Sequence, residues 1–106
     1  MSLSPEQRRE YRALAHNLKP VVIIGDKGIS ENLIQEAERA LADHELIKVK
    51  VAFPEKESRE QAVSELCQQT GAELVQMIGK IAVLLKRSSQ PNPKLSNLAR
   101  AARARS

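Results

Sequence analysis

A chain of 106 residues can bury one hydrophobic core but not two, and its 42% apolar and 28% charged residues fit a globular fold rather than a disordered chain. No run approaches the roughly 18 apolar residues of a membrane span, one cysteine leaves no disulfide framework or thiolate metal site, and two aromatics, Tyr11 and Phe53, leave little for base stacking. The formal charge of +4 admits a polyanionic partner, so its distribution along the chain matters more than its sum.

Ser4 and Pro5 are suited to the N-cap and first position of a helix in which Tyr11, Leu14, Ala15 and Leu18 recur at helical spacing. "KPVVIIG" follows, a β-branched run closed by Gly25, and reads as a buried strand. Beyond "GDKGIS", Ser30 can cap a second helix with Leu33, Ala37, Ala40 and Leu41 on one face and Glu31 in its first turn. "LIKVKV" alternates cleanly: Ile47, Val49 and Val51 point one way, Leu46, Lys48 and Lys50 the other, so one sheet face is partly wet there.

A third helix is expected from about Ser58 to Thr70, with Gly71 as a left-handed C-cap. "ELVQMI" and "IAVLLK" then flank Gly79-Lys80, a pair suited to a two-residue type II′ hairpin. The order α-β-α-β-α-β-β predicts a two-layer α/β sandwich with a four-stranded mixed sheet, its first three strands parallel and the last antiparallel. The first helix is placed over part of the second sheet face, which would explain why "VVII" and "IAVLL" are apolar on both sides. Residues 1–87 make this domain. Residues 88–106 lose core periodicity and are expected to be a mobile basic tail, able to turn helical in part against an anionic partner.

Residues 86–106 carry six bases and no acid, whereas residues 1–85 carry 11 bases against 13 acids. Within that net-acidic body, residues 8–28 sum to +3 through Arg8, Arg9, Arg12, Lys19 and Lys27, and residues 31–45 sum to −4. A body polarised in this way can dock a polyanion on one side while the other repels it.

In "GDKG" the glycines can take positive φ and let another backbone approach, and the capped helix that follows offers unpaired amides and a positive dipole end. A lone GxxG is more often a plain turn, and a carboxylate at Asp26 repels phosphate unless it turns outward. His16 and His44 stand at helix ends with no partner set for catalysis, and HExxH, GxSxG and CxxC are absent. An enzyme is therefore not expected, nor is a cofactor, a metal or a small-molecule substrate.

"AHNLKP", the GxxG loop, "HELIKVKV" and "TGAELVQMIGK" occur in this order across residues 4–87. Together they resemble the YhbY-like proteins, the stand-alone bacterial form of the CRM domain (chloroplast RNA splicing and ribosome maturation). The resemblance implies a fold similar to the C-terminal domain of a bacterial translation initiation factor. It also implies RNA binding, association with precursors of the large ribosomal subunit, and a GxxG loop that contacts phosphate.

Carried onto this chain, the loop is Gly25, Asp26, Lys27 and Gly28, extended by Ser30. By the resemblance the adjacent basic surface is Arg8, Arg12 and Lys19, with Arg87 after the last strand; the chain's own charge pattern adds Arg9, and Lys48 and Lys50 on the open sheet face. Two positions depart from the family pattern: Asp26, where a basic or small polar residue is usual, and Lys86, where a tyrosine is usual. The expectation is a monomeric cytoplasmic protein that binds ribosomal RNA in large-subunit precursors. The alternative is a protein-interaction adaptor on those precursors, using the acidic 31–45 helix, with incidental RNA contact.

Overall fold

The computed structural model describes residues 3–105, without the side chains of residues 103 and 105. Its elements are α1 (Pro5–Ala15), β1 (Pro20–Ile24), α2 (Glu31–His44), β2 (Leu46–Val51), α3 (Lys56–Thr70), β3 (Glu73–Ile78), β4 (Ile81–Leu85) and α4 (Asn97–Arg105). The four strands form one mixed sheet in the order β1, β2, β4, β3; β1 and β2 are parallel, and β4 runs antiparallel to both of its neighbours. Hence β1, β2 and β3 point the same way. The loop after β1, the end of β2 and the β3–β4 turn share one end of the sheet, here the loop end. Lys19, Leu46 and Leu85 share the far end.

Local chemistry sets most boundaries. The Ser4 hydroxyl accepts from the Gln7 amide at 3.1 Å while Gln7 Oε1 accepts from the Ser4 amide at 3.0 Å, a reciprocal capping box ahead of Pro5. Ser30 Oγ accepts from the Leu33 amide at 3.1 Å and starts α2. Gly71, at φ 76, ends α3 and returns its amide to the Cys67 carbonyl at 2.8 Å. The third helix begins at Lys56, earlier than its periodicity suggests, with Glu55 as an N-cap that makes no side-chain bond. Gly79 takes φ 56 while Lys80 does not take positive φ, as a type II′ turn requires.

The two sheet faces differ. Under α2 and α3 lies the main core, with Val22, Ile24, Leu41, Ile47, Val49, Val51, Leu66 and Leu84 sealed from solvent. Each such side chain contributes about 1.5–3 kcal/mol. On the other face α1, Leu3 and Leu98 of α4 cover Leu46, Val75, Val83 and Leu85, which lie toward β3 and β4. This second cover stops short of β1. Val21 is 46% and Ile23 61% exposed, so β1 is an edge strand buried on one face only, not the doubly buried strand its composition suggests. The central β4 does have both faces covered.

The structure also adds an element that core periodicity does not announce. α4 follows residues 88–96 and packs on α1 and β2 through Leu98, with Ser96 wholly buried at its start.

Candidate nucleic-acid interface

The Gly25 carbonyl accepts from the Gly28 amide at 3.0 Å, closing a four-residue turn with Asp26 and Lys27 at its exposed tip. Neither tip residue has positive φ, whereas Gly28 sits at φ 71, as expected of a type I turn with glycine at its fourth position. A Cβ on Gly28 would meet only Phe53 Cζ, at 3.9 Å, so the dihedral and not the available space demands glycine there. Gly25 does not take positive φ and has open space around it. Only one of the two glycines is conformationally required.

The Gly28 amide is therefore occupied by the turn itself. Among the described residues the amides of Ile29, Ser30, Glu31 and Asn32 donate to no other group. They sit at the start of α2, where the helix dipole adds positive potential. Ser30 contributes through its cap rather than as a free hydroxyl.

Ile23, Asp26, Lys27, Asn32 and Glu36 line a hollow of about 450 Å³ beside the loop. Asp26 and Glu36 thus bring two carboxylates to the lining that Lys27 shares. On its other side the loop borders a hollow lined by Phe53, Gln61 and Glu65.

The expected basic residues divide into separate groups. Arg8 reaches the sheet edge farthest from the loop, where Nη1 donates to the Leu74 carbonyl at 2.6 Å and the Val75 carbonyl at 3.0 Å. The register of β3 shifts between Leu74 and Gln76, so Arg8 holds the carbonyls of an irregular edge. Arg9 and Arg12 are exposed on α1. Arg12 borders a hollow of about 220 Å³ between α1 and the open sheet face, with His16, Lys48, Gln76, Ile78 and Ile81. Lys48 Nζ donates to the His16 carbonyl at 3.1 Å and so satisfies the C-terminus of α1.

Lys50 is exposed on the same face, paired in register with Ile23 on one side and Ile81 on the other. Ile78, 65% exposed, ends β3 nearby. Lys80 joins them at the loop end: its backbone carbonyl accepts from the Val51 amide at 2.7 Å, and its side chain is exposed. Lys80 is absent from the expected basic surface, although the hairpin signal at Gly79-Lys80 places it at this end of the sheet. Lys19 and Arg87 are exposed at the far end.

The open part of the second face is thus an apolar strip, Val21 and Ile23, bordered by Lys48 and Lys50 and running from Lys19 to the GDKG turn. Spanning five strand residues, it is roughly 17 Å long.

His44 Nδ1 lies 3.0 Å from the Leu95 carbonyl, to which it donates. Burial pushes the Cys67 thiol up to about 11, which leaves it protonated and unreactive near neutral pH. Among the described residues no group of three His, Cys, Asp or Glu side chains could hold a metal ion, and no helix is long and apolar enough to cross a membrane.

The sequence profile of the CRS1/YhbY (CRM) domain matches residues 3–86, which include β1, the loop and the whole sheet. The chain belongs to the CRM domain family. A Pseudomonas aeruginosa protein named "probable RNA-binding protein" is 45% identical over 100 residues, covering 94% of this chain and 96% of its own. A Haemophilus influenzae protein named "RNA-binding protein" is 40% identical over 94 residues, 89% and 95% of the two chains. The solution structure of a hypothetical protein from Staphylococcus aureus superposes with a TM-score of 0.75 at 37% identity, covering 84% of this CRM domain chain and 93% of the other. The α/β fold with a four-stranded mixed sheet is therefore a family fold, and α4 lies beyond the matched profile.

Proposed function

We propose that this protein binds RNA, without catalysis of its own, in cytoplasmic precursors of the large ribosomal subunit, where it acts as a monomer in assembly. The observation that carries the reading is the exposed strip along β1: apolar Val21 and Ile23, flanked by Lys48 and Lys50, leading to a loop with free amides and Lys27. A ligand with apolar base faces and an anionic backbone matches that alternation of surface. The names of the relatives, which carry RNA binding, point the same way.

In this mechanism a backbone phosphate meets the amides of Ile29 to Asn32, with Lys27 beside it. Lys50 and Lys80 hold the neighbouring phosphates, and bases lie over Val21 and Ile23. Arg9 and Arg12 extend the track from α1, and Arg87 lies at the far end. Arg8 and Lys48 keep supporting roles, because both already hold backbone carbonyls. Without aromatic platforms, phosphate contacts supply most of the affinity.

Salt dependence tests this reading. With about five phosphates held, log affinity for single-stranded RNA falls against log salt with a slope near −3.5. Sedimentation of the protein with large-subunit precursors, lost in a Lys27→Ala, Lys50→Ala double variant, would tie that binding to assembly. A slope unchanged by the two substitutions would remove this surface from RNA binding.

One observation favours the adaptor reading. A groove of about 680 Å³ between α3 and edge strand β3, lined by Val63, Cys67, Leu74 and Met77 with Lys56 and Arg59 at its rim, has the size and apolarity for a protein side chain. Association with precursors that survives high salt would support that reading over the RNA one.

A further inference from the structure

Glu45 is the residue least expected where it lies. It joins α2 to β2 at φ 62, the sole positive φ outside glycine among the described residues, and only 4% of it reaches solvent. A buried carboxylate is costly unless fully hydrogen-bonded. Both oxygens are satisfied from the C-terminal segment: Oε2 accepts from the Ser88 amide and Oε1 from the Ser96 hydroxyl, each at 2.6 Å. Ser96 Oγ in turn accepts from the Ala99 amide at 3.2 Å, so the serine that caps α4 also ties it to Glu45. Asn97 Nδ2 adds a bond to the Leu46 carbonyl at 2.6 Å, and His44 holds the Leu95 carbonyl. Four residues of the 88–97 segment are thus pinned to the α2–β2 junction.

This latch fixes where Arg100 goes. Lys19, Val21, His44, Asn97 and Arg100 line a hollow of about 180 Å³ at the far end of β1, and its lining contains no acid. Lys19 and Arg100 are exposed, and neither side chain makes a hydrogen bond or ion pair with a described residue; the Arg100 backbone amide donates to the Ser96 carbonyl at 3.0 Å within α4. Two cations held around one hollow without a counter-charge repel each other, and an anion between them relieves that repulsion. The hollow opens where the apolar strip begins, at Val21.

We infer that the Glu45 latch completes a second phosphate subsite, formed by Lys19 and Arg100, for the end of an RNA strand whose other end meets the GDKG loop. The inference rests on the RNA-binding reading and assigns part of the interface to a segment outside the matched family profile. In this arrangement the C-terminal segment is a positioned part of the binding surface, and Glu45, buried and remote from RNA, acts as its positioning residue.

A double-mutant cycle tests it, using the full chain, a short labelled single-stranded RNA of mixed sequence and a salt titration. Ser96→Asp can still cap α4 but sets a second carboxylate against Glu45 and breaks the latch; Arg100→Gln removes the cation. Each single substitution is expected to weaken binding about threefold at low salt and to reduce the slope magnitude by about 0.7. The double variant is expected to be no weaker than Ser96→Asp alone. Asn97→Ala, which loses the bond to Leu46 and trims one wall of the hollow while leaving both cations and the Glu45 bonds in place, offers a gentler release, and strand-amide hydrogen exchange confirms that the sheet is intact. Arg100→Gln effects of equal size in latched and unlatched backgrounds would overturn the subsite. Parent protein that fails to bind the RNA, or binds it independently of Lys27 and Lys50, would instead overturn the RNA reading beneath it.

Discussion

At the loop end of the sheet, Lys27, Lys50 and Lys80 are exposed while Asp26 and Glu36 share the hollow beside the turn; at the far end the carboxylate of Glu45 is buried and bonded, and Lys19 and Arg100 line an acid-free hollow. The loop end offers free helix amides with a mixed charge environment, and the far end offers side-chain cations alone. A segment's net charge therefore does not give the charge it presents. Residues 8–28 sum to +3, yet Arg8 is turned to β3 carbonyls and Asp26 lines the hollow beside the turn together with Lys27.

The largest expected effect falls on the far end. Glu45→Ala deletes two charge-assisted bonds and leaves the Ser88 amide and Ser96 hydroxyl without their partner, and should destabilise the fold by about 3 kcal/mol in urea unfolding. Accelerated exchange at Ala99 and Arg100 would trace the loss to α4.

Next come two glycines with nearly equal dihedrals. Gly28→Ala and Gly71→Ala should each cost about 1–2 kcal/mol, since both sit at positive φ with no close atom in the way of a Cβ. Only Gly28→Ala should also weaken RNA binding; equal affinities would return the GDKG turn to a purely structural role.

A smaller effect separates the charges at the loop. Lys27→Ala should lower the magnitude of the salt slope by about 0.7, while Asp26→Asn should tighten binding by about twofold by removing repulsion. An Asp26→Asn protein that binds more weakly would contradict a phosphate at this turn.

The smallest stability change should follow Val21→Ser with Ile23→Ser. About half of each residue already stands in water, so unfolding should shift by only about 0.5 kcal/mol although RNA binding falls.

What the sequence discloses follows from how local each determinant is. Ser4, Pro5, Ser30 and Gly71 mark helix ends through bonds within a few residues, and β2 shows its two faces by strict alternation. β1 is different: "VVII" reads as buried, but its exposure depends on being an edge strand, which pairing with β2 alone decides. α4 shows no core periodicity because it docks through Leu98 and through polar bonds from Ser96 and Asn97. Glu45 is hidden for the same reason. An acid in a run of acids reads as solvated, and only residues 43 to 51 positions away give it partners. At the loop, GxxG was legible as a turn, but not that the turn occupies the Gly28 amide.

Crosslinking of the intact protein to cellular RNA, with both peptides and RNA fragments identified, tests the central claim most directly. The account predicts crosslinks within residues 19–32 and at Lys50 and Arg100, on large-subunit ribosomal RNA. Crosslinks confined to residues 88–96, or to the acidic outer face of α2, would contradict it.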